Sequence, residues 1–84
     1  MNIEIYTKSN CPHCTQAKAL LDAHSLTYTT FSLAEHGETG EQYITREELL
    51  NRFPGARTMP QIKIDGVAIG GFTELKTHLQ KQTS

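Results

Sequence analysis

Residues 3–23 read Ile3-Glu4-Ile5-Tyr6-Thr7-Lys8-Ser9-Asn10-Cys11-Pro12-His13-Cys14-Thr15-Gln16-Ala17-Lys18-Ala19-Leu20-Leu21-Asp22-Ala23. Three local patterns meet in this stretch. Ile3 to Tyr6 alternates apolar and polar residues, as a half-buried strand does. Thr7 to Asn10 is polar and reads as a loop. Pro12 suits the first turn of a helix, where its missing N–H costs nothing. The helix is expected from Pro12 to about His24. Cys14, Ala17 and Leu21 share one face, with Leu20 beside them, and that face is expected to be buried. The stretch is therefore strand, loop and helix, with one cysteine at the junction and a second a turn further in.

Outward from it, Leu26 to Leu33 is rich in Thr, Tyr and Phe and predicts a second strand. Two strands joined by one helix make a βαβ unit with parallel strands and a right-handed crossover. Ala34 to Tyr43 is polar, carries Gly37 and Gly40, and predicts a loop. The acids between Glu35 and Glu48 read as a solvated surface that could steer the choice of partner. Thr45-Arg46-Glu47-Glu48 matches a capping box, with Thr45 and Glu48 satisfying each other's backbone donors. It opens a second helix with Leu49, Leu50 and Phe53 on the apolar side, and Pro54-Gly55 stops it. Gln61 to Ile64 and Val67 to Ile69 form a hairpin about the two-residue turn Asp65-Gly66. Gly70-Gly71 breaks the second of these strands. A last helix, about Phe72 to Lys81, is expected to bury Phe72, Leu75 and Leu79. The order β-α-β-α-β-β-α predicts an α/β fold: one four-stranded mixed sheet flanked by helices, in a single domain over residues 1–84.

Composition bounds the function. The 84 residues are 37% hydrophobic, enough for one small core. The formal net charge is -1, which gives no general attraction to nucleic acid or to an anionic membrane. No apolar run approaches the roughly 20 residues of a membrane span. Met1 to Tyr6 has neither a basic flank nor a long apolar stretch, so no signal peptide is expected and the protein is expected in the cytoplasm. Nothing in the chain signals oligomerisation, and a monomer is expected.

Cys11 and Cys14 are the only two cysteines. Secreted domains stapled by disulfides carry more. A bridge over two intervening residues closes a very short loop and restricts the unfolded chain little. The pair therefore reads as chemistry. Cys11 lies at the helix start, where unpaired N–H groups and the positive end of the helix dipole favour a thiolate. Its pKa is expected to fall below the ordinary thiol value. Cys14 lies on the apolar face, where a thiolate is disfavoured. Cys11 is expected to attack first and Cys14 to resolve the mixed disulfide.

Pro12 and His13 complete the candidate catalytic set. A cationic or hydrogen-bonding His13 imidazole beside Cys11 would favour the thiolate further and make the disulfide more oxidising. The plainer reading is an exposed histidine of modest effect. The same tetrapeptide occurs in strongly oxidising periplasmic disulfide-forming enzymes, but those are larger, exported proteins. Lys8, three residues before Cys11, either adds positive charge or is a solvated surface lysine. Half of a zinc site is the rival reading of C-x-x-C. There is no second C-x-x-C, and His13, His24, His36 and His78 lack H-x₃₋₅-H spacing, so no metal is expected.

The chain resembles the glutaredoxin family in three segments. The first is Tyr6-Thr7-Lys8 through Cys11-Pro12-His13-Cys14, followed by Ala17-Lys18-x-Leu20-Leu21. The second is Arg57-Thr58-Met59-Pro60-Gln61. The third is Ile69-Gly70-Gly71-Phe72-Thr73-Glu74-Leu75. Order and spacing match across essentially the whole chain. The Thr58-Met59-Pro60-Gln61 and Gly70-Gly71-Phe72 pieces resemble in particular the glutaredoxins of tailed bacteriophages.

The resemblance implies a thioredoxin-like fold and a dithiol oxidoreductase with glutathione as co-substrate. It implies that Pro60 is cis and faces the cysteines; on the residues alone, Pro60 reads as an ordinary strand-start proline. The backbone of Met59 would then pair with an extended peptide, the cysteinyl part of glutathione. The N–H groups of Gly71, Phe72 and Thr73 would take the γ-glutamyl carboxylate. Thr73 stands where many members have Asp or Ser, and it brings no charge to attract the ammonium. Lys8 matches the family's partner for the glycine carboxylate, with Arg57 and Arg46 as weaker candidates. Thr58 completes the implied glutathione site.

By family analogy the partners are disulfide-containing or glutathionylated proteins, ribonucleotide reductase among them. Two alternatives stay open. One is a thioredoxin-like electron donor reduced by a flavoenzyme. The other is a carrier of a [2Fe–2S] cluster between two protomers, against which Pro12 argues, because the family's cluster binders have a small residue there.

Overall fold

The structure, a computed structural model, describes residues 2–82. Met1, Thr83 and Ser84, at the ends of the domain expected over 1–84, lie outside the described residues. The elements are β1 (Ile3–Thr7), α1 (Pro12–Ala23), β2 (Thr29–Leu33), β3 (Tyr43–Ile44), α2 (Arg46–Arg52), β4 (Gln61–Ile64), β5 (Val67–Gly70) and α3 (Phe72–Gln82). They form one sheet in the order β3-β2-β1-β4-β5. β1 runs parallel to β2, and β2 parallel to β3; β4 is antiparallel to both β1 and β5. The α/β thioredoxin-like architecture with a mixed sheet is as expected.

The sheet has five strands rather than four. The extra one is Tyr43–Ile44, expected to be partly loop. Ser32 N–H donates to the Gln42 carbonyl at 2.6 Å, and Ala34 N–H to the Ile44 carbonyl at 2.9 Å. Ile44 is buried among Tyr6, Leu33, Leu49 and Phe53. Two residues are too few to show a period of two, so the pairing is set by the ladder and by one buried side chain. β2 is also shorter than expected. Its first residue is Thr29, because the chain leaves α1 through Ser25 (φ 56°) and Leu26 N–H bonds back to the Leu21 carbonyl.

Alternation along β1 divides the molecule into two cores. Ile3 and Ile5 pack with Ala17 and Leu21 of α1, Ile62 and Ile64 of β4, and Leu75 and Leu79 of α3. Tyr6 points to the other face, with Leu33, Ile44, Leu49 and Phe53. Its ring stacks on Phe31 (centroids 5.0 Å) and meets Phe53 edge-on (4.9 Å). Two expectations about apolar faces fail in part. Leu50 is 40% exposed, while Leu49 and Phe53, four apart on the same face, are buried. Phe72 is only half-buried, at the edge of the first core.

The hairpin turn is as expected: Asp65 and Gly66 both have positive φ (52° and 81°), as a two-residue turn of this kind requires. The box at α2 is half as expected. Thr45 Oγ1 accepts from Glu48 N–H at 3.1 Å, but the Glu48 carboxylate turns to Arg52 instead, at 2.8 Å. Among the described residues no helix is long and apolar enough to cross a membrane.

Candidate active site

Parallel β1 delivers the chain to the edge of the sheet at Thr7. Asn10, in the left-handed region at φ 54°, turns it into α1, a conformation that asparagine tolerates better than most residues. Cys11 is then the N-cap of α1, with extended backbone (φ -120°, ψ 96°). Cys14 N–H donates to Cys11 Sγ at 3.2 Å. A cysteine sulfur thus fills the capping place usually held by a side-chain oxygen. This N–H and the positive helix end both favour negative charge on Cys11 Sγ. Cys11 is half-buried and reachable, whereas Cys14 is 3% exposed and packed under it. The two sulfurs are joined in a disulfide, with the Cα atoms 5.3 Å apart.

Across from them lies the loop before β4. The Met59–Pro60 bond is cis, and Pro60 is fully buried. The Met59 carbonyl oxygen stands 3.6 Å from Cys11 Sγ. Gln61 Nε2 donates to the Thr58 carbonyl at 2.7 Å and braces the loop. On the third side is the start of α3. A Cβ on Gly71 would lie 3.2 Å from the Pro60 carbonyl oxygen, so a glycine lets α3 close on the proline loop. The His13 ring is stacked against Phe72, with centroids 6.3 Å apart and planes at 19°.

All twelve residues expected at the site line three adjoining hollows. Lys8, Cys11, Pro12 and Cys14 line one of about 460 Å³. His13, Thr58, Met59, Pro60, Gly71, Phe72 and Thr73 line another of about 210 Å³. Lys8, Arg57, Thr58 and Met59 line a recess of about 120 Å³, together with Arg46. Lys8 joins the recess to the cysteine hollow, and Thr58 and Met59 join it to the hollow at α3.

The expectation for the α3 amides needs one correction. Gly71 N–H is already taken, since it donates to the Glu74 carboxylate at 2.7 Å. That leaves Phe72 and Thr73 as the free donors of the expected trio. Sequence reasoning missed Glu74 here, although Gly71-x-x-Glu74 has the spacing of a capping box. It also gave the Tyr6 hydroxyl no partner. The Tyr6 hydroxyl donates to Glu4 at 2.8 Å and accepts from Arg52 at 2.8 Å. Burial first, and then the bond to Glu4, push the Tyr6 phenol above its ordinary range. Among the described residues no group of three or more His, Cys, Asp and Glu side chains is placed to hold a metal ion.

A reachable sulfur primed for negative charge, with a buried one beneath it, can open and re-form a disulfide. On a thioredoxin-like sheet, that makes the chain a thiol-disulfide oxidoreductase. Comparison with known proteins narrows the class. The family model "Glutaredoxin" matches residues 3–69, and the chain belongs to the glutaredoxin family. It is 38% identical to glutaredoxin 3 of Escherichia coli K12 over 74 residues, 88% of this chain and 81% of that one. The fold superposes on glutaredoxin 1 of Francisella tularensis with a TM-score of 0.76 at 28% identity, covering 98% and 95% of the two chains. A buckwheat glutaredoxin-glutathione complex matches with a TM-score of 0.71 at 25% identity, covering 95% of this chain and 69% of that one.

Proposed function

We propose that this protein reduces protein disulfides and glutathione mixed disulfides in the cytoplasm, acts as a monomer, and is itself reduced by glutathione. The observation that carries the reading is the bond from Cys14 N–H to Cys11 Sγ, which supports Cys11 as the attacking sulfur. The Cys11 thiolate attacks a substrate disulfide, forming a mixed disulfide and releasing one thiolate. Cys14, losing its proton, attacks Cys11 Sγ. The second substrate thiolate leaves and the Cys11–Cys14 disulfide closes. One glutathione thiolate then opens that bond at Cys11 Sγ and frees Cys14. A second attacks the glutathione sulfur, leaving Cys11 reduced and releasing glutathione disulfide. Each turn moves two electrons from two glutathiones to one disulfide.

Three features support glutathione as the reductant. The Met59 backbone faces Cys11 and can pair with an extended cysteinyl residue. The Phe72 and Thr73 amides open a helix, where a carboxylate is favoured. Lys8 and Arg57 lie in the recess beside Met59, and their positive charge would suit the glycine carboxylate. The buckwheat relative, whose structure is a glutathione complex, supports the same ligand.

The test is turnover of the mixed disulfide of glutathione and β-mercaptoethanol, coupled to glutathione reductase. We expect wild type to turn over, Cys11→Ser to be inactive, and Cys14→Ser to keep activity through direct attack by the second glutathione. No glutathione-dependent turnover by wild type, with activity through a thioredoxin reductase instead, would replace this reading with a thioredoxin-like electron donor.

A further inference from the structure

The recess beside Met59, about 120 Å³, is walled by more than Lys8 and Arg57. Its far wall is α2, which contributes Arg46, Leu49 and Leu50. With Lys8 and Arg57, three cations thus surround one small concavity on a chain whose net charge is -1. None of the three side chains makes an ion pair or hydrogen bond among the described residues. Two carboxylates of adjoining segments are engaged elsewhere, Glu35 accepting from Ser9 at 2.7 Å and Glu48 pairing with Arg52 at 2.8 Å, while Glu47 stands beside Arg46 in the first turn of α2. Arg46 is the first residue of α2, the helix end at which a cation is disfavoured. Leu50 is 40% exposed, one of two large apolar side chains left exposed among the described residues, and it lies on this same wall. Positions that break local rules are where function is expected.

We infer that this recess is a docking site for the protein substrate: an extended segment beside the reactive cysteine, carrying acidic residues and one apolar side chain. The acidic groups meet Lys8, Arg46 and Arg57, the apolar one lies on Leu49 and Leu50, and the Met59 backbone holds the segment at Cys11. Charge complementarity selects this occupant over a neutral or basic peptide. The inference rests on the disulfide-reducing role proposed above. It adds which disulfides are chosen.

The test uses protein reduced with dithiothreitol and freed of it, in single-turnover reaction with decapeptides containing one internal disulfide. Glutathione is absent, so the result does not depend on whether glutathione is the reductant. One peptide carries Glu-Glu-Leu beside the disulfide, and its pair carries Gln-Gln-Leu. At low salt the acidic peptide should react about fivefold faster. At about 1 M salt, where the Debye length is about 3 Å, the ratio should fall towards one.

Arg46→Glu should bring the ratio to one or below at low salt. Leu50→Ser should slow both peptides alike and leave the ratio standing. A wild-type ratio within twofold of one, or a ratio unchanged in Arg46→Glu, overturns the docking site. Circular dichroism of both variants checks that they fold, and removing a cation from the start of α2 should not weaken that helix. Loss of glutathione-coupled turnover with the peptide ratio intact would overturn the glutathione reading and leave the docking site in place.

Discussion

A Cβ added to Gly70 would stand 2.7 Å from Cγ and Oε1 of Glu74, on a backbone at φ 115° that other residues rarely adopt. Gly70→Ala therefore meets both strain and collision. It should destabilise the protein by about 1–3 kcal/mol in urea unfolding. Gly71→Ala has a different consequence. Its φ is not in the left-handed region, and its new methyl meets the Pro60 carbonyl at 3.2 Å. It should leave stability nearly unchanged and push α3 away from the proline loop. The expected readout is a several-fold rise in KM for glutathione with little change in kcat. A stability loss in Gly71→Ala as large as that in Gly70→Ala would contradict this division. The pair of glycines was legible as a chain break. Their separate roles were not, because one is set by a dihedral angle and the other by an approach of backbone from a distant loop.

At the scale of elements, α1 and β1 were legible because Pro12, the polar loop and the alternation of Ile3 to Tyr6 are local signals. The cis state of Met59–Pro60 came only through the family resemblance, since the residues alone fit a trans strand-start proline equally well. β3 and the outward turn of Leu50 were missed for a common reason: two residues, or a two-turn helix, carry too little periodicity to fix a face. The bridge between β1 and α2 was missed because it joins side chains 46 residues apart in sequence.

That bridge makes a pH prediction. The Tyr6 phenol holds its proton above the ordinary value of 10.0 through burial first and Glu4 second, with Arg52 opposing. The folded state binds this proton more tightly than the unfolded state does. The resulting stability is fully present below about pH 10 and is lost as pH rises through the raised folded value. Melting temperatures between about pH 9 and about pH 11 should fall more steeply for wild type than for Tyr6→Phe. Equal slopes would show that Tyr6 titrates as it does in the unfolded chain. Arg52 keeps Glu48 as a partner in that variant, so Tyr6→Phe should cost only about 1 kcal/mol at neutral pH.

Across the whole molecule, the sheet assigns its two cores to different parts of the reaction. The core holding α1 and α3 fixes the two helix starts that meet at Cys11 and Gly71. The smaller core holds α2, and with it the wall formed by Arg46 and Leu50. A domain of this size is stable by only about 0.05–0.15 kcal/mol per residue, so either core can be lost by one large cavity. Leu79 is 2% exposed and lies two turns into α3, away from the helix start that faces Cys11. Leu79→Ala should cost about 2–5 kcal/mol. At temperatures where the variant is still folded, kcat/KM with the glutathione mixed disulfide should stay within about twofold of wild type, because the remaining Leu75 still anchors the first turns of α3. Leu49→Ala, in the other core, should cost a similar amount. It should also lower the single-turnover rate with the acidic peptide, since Leu49 lines the recess. Urea unfolding of both variants, followed by the two assays at low temperature, separates the cores. If Leu79→Ala lost mixed-disulfide turnover while folded, the first core would set the site along its whole length. If Leu49→Ala left the peptide rate untouched, the second core would be scaffold alone.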